Sequence, residues 1–216
     1  MFLTTVFVIR HAESLEDLDP ILHNALDEEI SVTENGKSEI TKITDTIRSH
    51  GVSDRISAYV SCSRRAQETL QLVERNMPEI TLLKSLPDSR IRNLDWGNTN
   101  SANRVQIERE RYHAGVLYYQ FPGGDNTPKY VRSIEAFVSE CLLEGKDATR
   151  PNTAIVVTHG FALRIVVKAL TGMNDQEFRW LANPPNCYVA TLKRIKPSDR
   201  FKLVEPLPRF KGFIIS

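Results

Sequence analysis

The run Val6-Phe7-Val8-Ile9, leading directly into Arg10-His11, constrains this chain more than any other stretch. An apolar, mostly β-branched run reads as a strand covered on both faces, as in the middle of a largely parallel sheet. In an open α/β sheet, ligands bind just beyond the carboxyl ends of such strands. An arginine and a histidine at that point set a permanent cation beside a potential nucleophile, which suits attack on a phosphate. Taken alone, the pair reads equally well as a strand-end arginine and a hydrogen-bonded histidine.

The rest of the chain repeats a strand, short turn, helix order. After an acidic loop from Glu13 to Ile30, Thr33 is a candidate N-cap for a helix striped by Ile40, Ile43 and Ile47 and ended by Gly51. A strand is expected over Ile56–Val60, a helix with Ala66, Leu70 and Val73 inward, and a short strand over Ile80–Leu83. A polar helix over roughly Ala102–Tyr119 precedes the breaker Phe121-Pro122-Gly123-Gly124-Asp125. Val131, Ile134, Val138, Cys141 and Leu142 stripe another helix. A second buried-type strand, Ala154–Thr158, ends in His159-Gly160, a helix follows over Phe161–Leu170, and Tyr188–Ile195 is the last strand. This order predicts an α/β fold, a three-layer α/β/α sandwich with a mostly parallel central sheet. One domain over 1–216 is expected, with a variable cap or insert at about 87–128.

Composition narrows the function. A net charge of +1 with mixed charges lacks the basic patch of a nucleic-acid binder. No run approaches the roughly 18 apolar residues of a membrane span. Met1 to Ile9 has no basic leader or small-residue cleavage site, so it is expected to serve as the first strand. Cys62, Cys141 and Cys187 form neither a CxxC pair nor a metal spacing, which fits a reducing cytoplasm without zinc or a disulfide framework. Neither GxGxxG nor GxxxxGK[ST] follows a strand, which leaves little support for a nucleotide-binding domain.

Three strand ends are expected on one rim: Arg10-His11, Arg64-Arg65 just past Ser61, and His159-Gly160. Guanidinium forks neutralise phosphoryl oxygens better than lysines do. Neighbouring arginines also disfavour protonation of imidazole. His11 can then attack phosphorus to give a phosphohistidine that water hydrolyses, while His159 hydrogen-bonds the transferring group.

Val8-Ile9-Arg10-His11-Ala12-Glu13-Ser14 resembles the Arg-His-Gly-Glu-Ser/Thr signature of the histidine phosphatase superfamily, the phosphoglycerate-mutase-like fold. Val32-Thr33-Glu34-Asn35-Gly36 is similar to its Leu-Thr-x-x-Gly helix start, and Ser61 to Thr69 to its Ser-x-x-x-Arg-Ala-x-x-Thr segment. Pro122-Gly123-Gly124-Asp125 resembles a Pro-Gly-Gly-Glu turn, and Val156-Val157-Thr158-His159-Gly160 the strand bearing the second histidine. The resemblance implies His11 as nucleophile, Arg10 and Arg65 as phosphate ligands, and His159 in the phosphate pocket. Arg64 is then a solvated helix-start charge, and His23, His50 and His113 lie outside every motif.

The chain departs from that pattern at the proton donor. The family's glutamate in Leu-x-Glu-x-x-x-Gly is matched by Asn93, and an amide cannot act as an acid. General acid catalysis contributes about 10²–10⁴-fold, roughly 3–5 kcal/mol. Asp95, Asp125 and Glu13 are the candidate replacements. Arg92, Asn93 and Gly160 are candidate substrate contacts, and Arg90 and Arg92 are candidates for a second anionic group or simply loop charge. Asp17 stands where the family has an asparagine. The paired-arginine loop of true mutases is not found. The resulting expectation is a metal-independent, cofactor-free phosphomonoesterase acting on a small phosphorylated substrate or phosphoprotein, as monomer or homodimer. A phospho-ligand binding module of low activity and a mutase-type phosphotransferase are the alternatives.

Overall fold

The computed structural model describes residues 2–18, 29–100, 102–144 and 150–210. The elements run β1 (Thr5–Arg10), α1 (Leu15–Leu18), α2 (Glu34–Ser38), α3 (Ile40–Ser49), β2 (Arg55–Val60), α4 (Arg64–Asn76) and β3 (Thr81–Lys84). They continue as α5 (Arg104–Ala114), α6 (Thr127–Phe137), β4 (Thr153–Thr158), α7 (Gly160–Thr171), α8 (Asp175–Arg179), β5 (Val189–Lys193) and β6 (Lys202–Leu203). The strands form a six-stranded sheet in the order β3-β2-β4-β1-β5-β6. The first four lie parallel, β5 pairs antiparallel with β1, and β6 pairs antiparallel with β5.

Strict alternation builds the layers. Val6 and Val8 of β1, with Ala154 and Val156 of β4, face a core shared with Ile134 and Phe137 of α6 and Leu163 and Val167 of α7. Phe7 and Ile9, with Ile155 and Val157, face the opposite core with Ile43 and Ile47 of α3 and Ala66, Leu70 and Val73 of α4. Both faces of the central strands are covered, as their uninterrupted apolar runs require. The expected α/β/α layering is observed. Ile107, Leu117, Tyr119 and Phe121, from the region expected to vary, pack into the first of these cores.

Several boundaries differ from the sequence reading. The helix expected to reach Tyr119 stops at Ala114, because Gly115 takes a positive φ of 89° and lets the chain turn Leu117 and Tyr119 inward. The stripe from Val131 to Leu142 is not one regular helix. α6 ends at Phe137, and Val138–Leu143 continues as a wider π-type turn. The short α8, closed by a capping box between Asn174 and Glu177, and the two-residue β6 carry too little pattern to be anticipated. Part of the acidic loop, 19–28, and His23 lie outside the described residues.

The turn after β1 is held by close backbone approach. Thr33 caps α2 by accepting from the Gly36 amide, and its own amide donates to the Glu13 carbonyl at 2.9 Å. A Cβ on Gly36 would stand 2.4 Å from that same carbonyl oxygen. Gly36→Ala is therefore expected to cost about 1–3 kcal/mol through overpacking. The check is a lowered urea midpoint with an unchanged slope, and an unaltered midpoint would contradict this account of the turn.

Candidate active site

The register of the three central strands places the site. Arg10 pairs with Thr158 across β1 and β4, and Val60 pairs with Val157 across β2 and β4. One residue further, the His11 amide donates to the Thr158 carbonyl at 2.9 Å and the Ser61 amide to the Val157 carbonyl at 3.0 Å. His11, His159 and Ser61 thus leave the sheet side by side, with the His11 and His159 rings 5.1 Å apart. Thr69 of α4 accepts from the Ala12 amide at 3.0 Å and fixes the turn beyond His11.

His11 is buried, and its Nδ1 lies 2.8 Å from the Ala12 carbonyl oxygen. A carbonyl only accepts, so Nδ1 carries the proton and the lone pair is left on Nε2. Burial first, then the charges of Arg65 and Arg10, bring the His11 pKa down to about 4. The ring is therefore neutral at pH 7.

His159 is also held well below its ordinary value, by burial and then by Arg65. Its Nε2 lies 2.9 Å from Ser61 Oγ and 3.2 Å from Ser63 Oγ, and Nδ1 is 3.5 Å from an Arg65 Nη2. Hydroxyls donate or accept. The Arg65 guanidinium only donates, so Nδ1 is the acceptor and Nε2 carries the proton, which the Ser61 and Ser63 hydroxyls accept.

The structure brings Arg10, His11, Arg65 and His159 together, and both arginines already meet carboxylates of α1. Arg65, fully buried, pairs with Glu16 at 3.0 Å. Arg10 donates to Asp17 at 2.7 Å and to the Pro184 carbonyl at 2.7 Å, while its Nε is enclosed without an acceptor. Burial opposes ionisation of Asp17, but the charge His11 acquires in acid, the charge of Arg10 and the bonds from Ser14 outweigh it, and its pKa is lowered. Arg64, by contrast, is exposed and pairs with Glu68 on its own helix.

The three proton-donor candidates are all engaged elsewhere. Asp125 accepts from both Nη atoms of Arg92 and from the Asp95 amide. Asp95 is exposed and accepts from the Gly97 amide. Glu13 accepts from Thr33 and Asn35, turned towards α2. The loop holding Asn93 is tied to the site by Thr158 Oγ1, which donates to the Ile91 carbonyl at 2.6 Å. Asn93 itself is half-buried, and its carbonyl accepts from Arg92. Gly160 packs against the side chain of Asn183, whose Oδ1 would lie 2.4 Å from a Cβ placed there. Arg90 is committed to Asp88 and Glu140. His50 packs against Phe7, and His113 is exposed.

Sequence reasoning missed Ser61 and Ser63 as partners of His159, Glu16 as the partner of Arg65, and the 184–187 segment. In that segment the Cys187 amide and Asn186 Nδ2 both reach the His11 carbonyl. The signal for the segment was present. Asn183-Pro184-Pro185-Asn186 is a strong turn cluster, and a strand antiparallel to β1 must begin at the rim where β1 ends. Among the described residues, no cluster of three or more His, Cys, Asp or Glu is placed to hold a metal ion, and no helix is long and apolar enough to cross a membrane.

The histidine pKa values carry a stability consequence. His11 is lowered in the folded state, so the unfolded chain takes up this proton first as pH falls. The stabilising contribution of neutral His11 is complete above pH 6.5 and is lost as pH falls towards about 4. His159 shifts in the same direction and adds to the slope. Urea unfolding across that window should show falling stability, with a shallower fall in His11→Gln. Parallel pH profiles for the two proteins would refute a neutral, buried His11.

Comparison with known proteins bears on the family and the fold. Residues 6–205 match the family model for the histidine phosphatase superfamily, branch 1. The phosphoglycerate mutase-like protein AT74H of Arabidopsis thaliana is 24% identical over 200 residues, covering 84% of this chain and 71% of that protein. A 2,3-bisphosphoglycerate-dependent phosphoglycerate mutase of Bartonella bacilliformis is 24% identical over 189 residues, covering 80% of this chain and 84% of the relative. The fold is shared with a mycobacterial glucosyl-3-phosphoglycerate phosphatase, at a TM-score of 0.69 and 14% identity, covering 96% of this chain and 100% of that one. This chain belongs to branch 1 of the histidine phosphatase superfamily.

Proposed function

We propose that the chain is a phosphomonoesterase that works through a phosphohistidine on His11, without a metal, on a small phosphorylated substrate. The observation that carries this reading is the Nδ1 to Ala12 carbonyl bond, which fixes the tautomer and leaves Nε2 with its lone pair. In the first step Nε2 attacks phosphorus, the bond to the ester oxygen breaks, and that oxygen departs as its anion and takes a proton from water. In the second, water attacks phosphorus, the N–P bond breaks, and His11 returns neutral with inorganic phosphate released. The enclosed Arg10 Nε supports the reading as well, since a buried donor without an acceptor costs about 1–3 kcal/mol that a phosphoryl oxygen removes.

The proton for the leaving oxygen separates this reading from a second one. Asn93 cannot supply it, and Asp125 and Glu13 are held as hydrogen-bond acceptors. A good leaving group, such as an aryl or acyl phosphate, needs no acid. For alkyl phosphates the same site favours the second reading, a phospho-ligand binding module with slow turnover.

An aryl phosphate incubated with the protein and excess chelator should be hydrolysed, and His11→Ala should lower kcat by at least about a thousandfold. Undiminished turnover in that variant would sink the phosphohistidine route. Asn93→Glu should raise kcat on an alkyl phosphate by tenfold or more and add a basic limb to its pH profile. If neither rate nor profile moves, Asn93 does not stand at the leaving-group side.

The carboxylate on Arg10 gives another expectation. Asp17→Asn keeps the shape and an acceptor oxygen while removing a charge that competes with phosphate for Arg10. Inorganic phosphate should inhibit this variant several-fold more strongly at neutral pH, and equal or weaker inhibition would show that Asp17 does not compete.

A further inference from the structure

The four-residue helix α1 is built inside out. Its leucines, Leu15 and Leu18, stand three positions apart on one face and are 42% and 63% exposed. Its carboxylates turn towards the two arginines of the phosphate pocket, with the side chains of Glu16 and Asp17 only 12% and 21% exposed. A surface helix ordinarily does the reverse, burying its apolar face and leaving charge in water. Polar contacts hold this one. The Leu15 amide donates to the Ser31 carbonyl at 3.1 Å and the Asp17 amide to the Ser14 carbonyl at 3.0 Å. Asp17 accepts from Arg10, Ser14 and Asn186, and Glu16 from Arg65.

Glu16 stands where a phosphoryl oxygen is needed. The Arg65 Nη2 that it meets at 3.0 Å is the same nitrogen that lies 3.5 Å from His159 Nδ1. Glu16 also acts on the other arginine: burial lowers the pKa of Arg10, and the charges of Asp17 and then Glu16 oppose that fall. Carboxylates and phosphates make the same kind of charge-assisted bond to a guanidinium group, so the two compete for one set of N–H donors.

We infer that α1 is an inhibitory latch: Glu16 holds Arg65 in the place of a phosphoryl oxygen, and a bound phosphate monoester releases the helix from the pocket. The latch rests on the phosphate-pocket reading above and adds that the site without substrate is occupied by the chain itself. The inverted pattern suits this use. A helix anchored by buried leucines would give up apolar burial on leaving, whereas one anchored by ion pairs is exchanged by a competing anion. The bridge between Ser14 and Val32, just ahead of the helix, serves as the pivot. The apparent affinity for phosphate is reduced by the fraction of molecules with the latch open, so an open fraction of about one in ten weakens binding about tenfold.

Butylphosphonate is the probe, a non-hydrolysable anion that keeps the test independent of turnover. Titrated calorimetrically at fixed ionic strength, it should bind Glu16→Gln about tenfold more tightly than wild type, since the amide keeps the length and an acceptor oxygen while losing the charge. Hydrogen exchange on the wild-type protein supplies a measurement that needs no variant. Ligands ordinarily slow exchange around their site by favouring the closed native form. Here the Leu15 and Asp17 amides should exchange several-fold faster in phosphonate-saturated protein. Equal or weaker binding by Glu16→Gln, in protein shown to be folded by its melting curve, overturns the latch and leaves the phosphate pocket standing. Slower or unchanged exchange at Leu15 and Asp17 in saturated wild type overturns it too. Binding of butylphosphonate by neither protein overturns the pocket reading and the latch together.

Discussion

Parallel pairing of β1 with β4, in the register that sets Arg10 against Thr158, is the constraint on which the site depends. It delivers two histidines from positions far apart in sequence to one edge, with their rings in contact. β2, on the other side of β4, brings Ser61 and the start of α4 to that edge, and so Arg65. The antiparallel β5 closes it from the opposite direction, because the chain must enter that strand where β1 leaves. Each contribution is a strand end or the start of the helix that follows it, and no long loop is needed to assemble the four groups.

Burial first, and then the cations crowded beside them, set the protonation of the two histidines. A positive charge beside an imidazole, with little water to screen it, holds the ring neutral. A nucleophile needs that state. The same field draws carboxylates, and Glu16 and Asp17 of α1 answer it by pairing with Arg65 and Arg10. These pairs keep the arginines from being buried as uncompensated charges, which would be strongly destabilising.

What was legible in the sequence was local. Val6–Ile9 and Ala154–Thr158 declare buried strands through composition alone, and Arg10, His11 and His159 follow them without a gap. Arg65 was distinguishable from Arg64 only through the motif, and the fold gives the reason: one faces inward from α4 while the other pairs with Glu68 at the surface. Partners chosen by distant chain reversal were not legible. Nothing near Arg65 in sequence points to Glu16, and nothing in the polar pattern of α5 marks Arg111 as different from Arg104 or Arg109. That difference arises when Gly115 ends the helix and the chain returns Tyr119 and Phe121 to the core, closing aromatic rings around one guanidinium.

The α1 carboxylates also bear on what kind of ligand this site prefers. On the proposed function, an incoming phosphate would compete with Glu16 and Asp17 for the arginines they neutralise, so its binding free energy would be a difference between two anions rather than the full attraction of the cations. A lone phosphoryl group therefore gains less here than the density of positive charge suggests. On that reading, discrimination among phosphate esters would depend less on the phosphate pocket, where every substrate presents the same group, than on the groups around it.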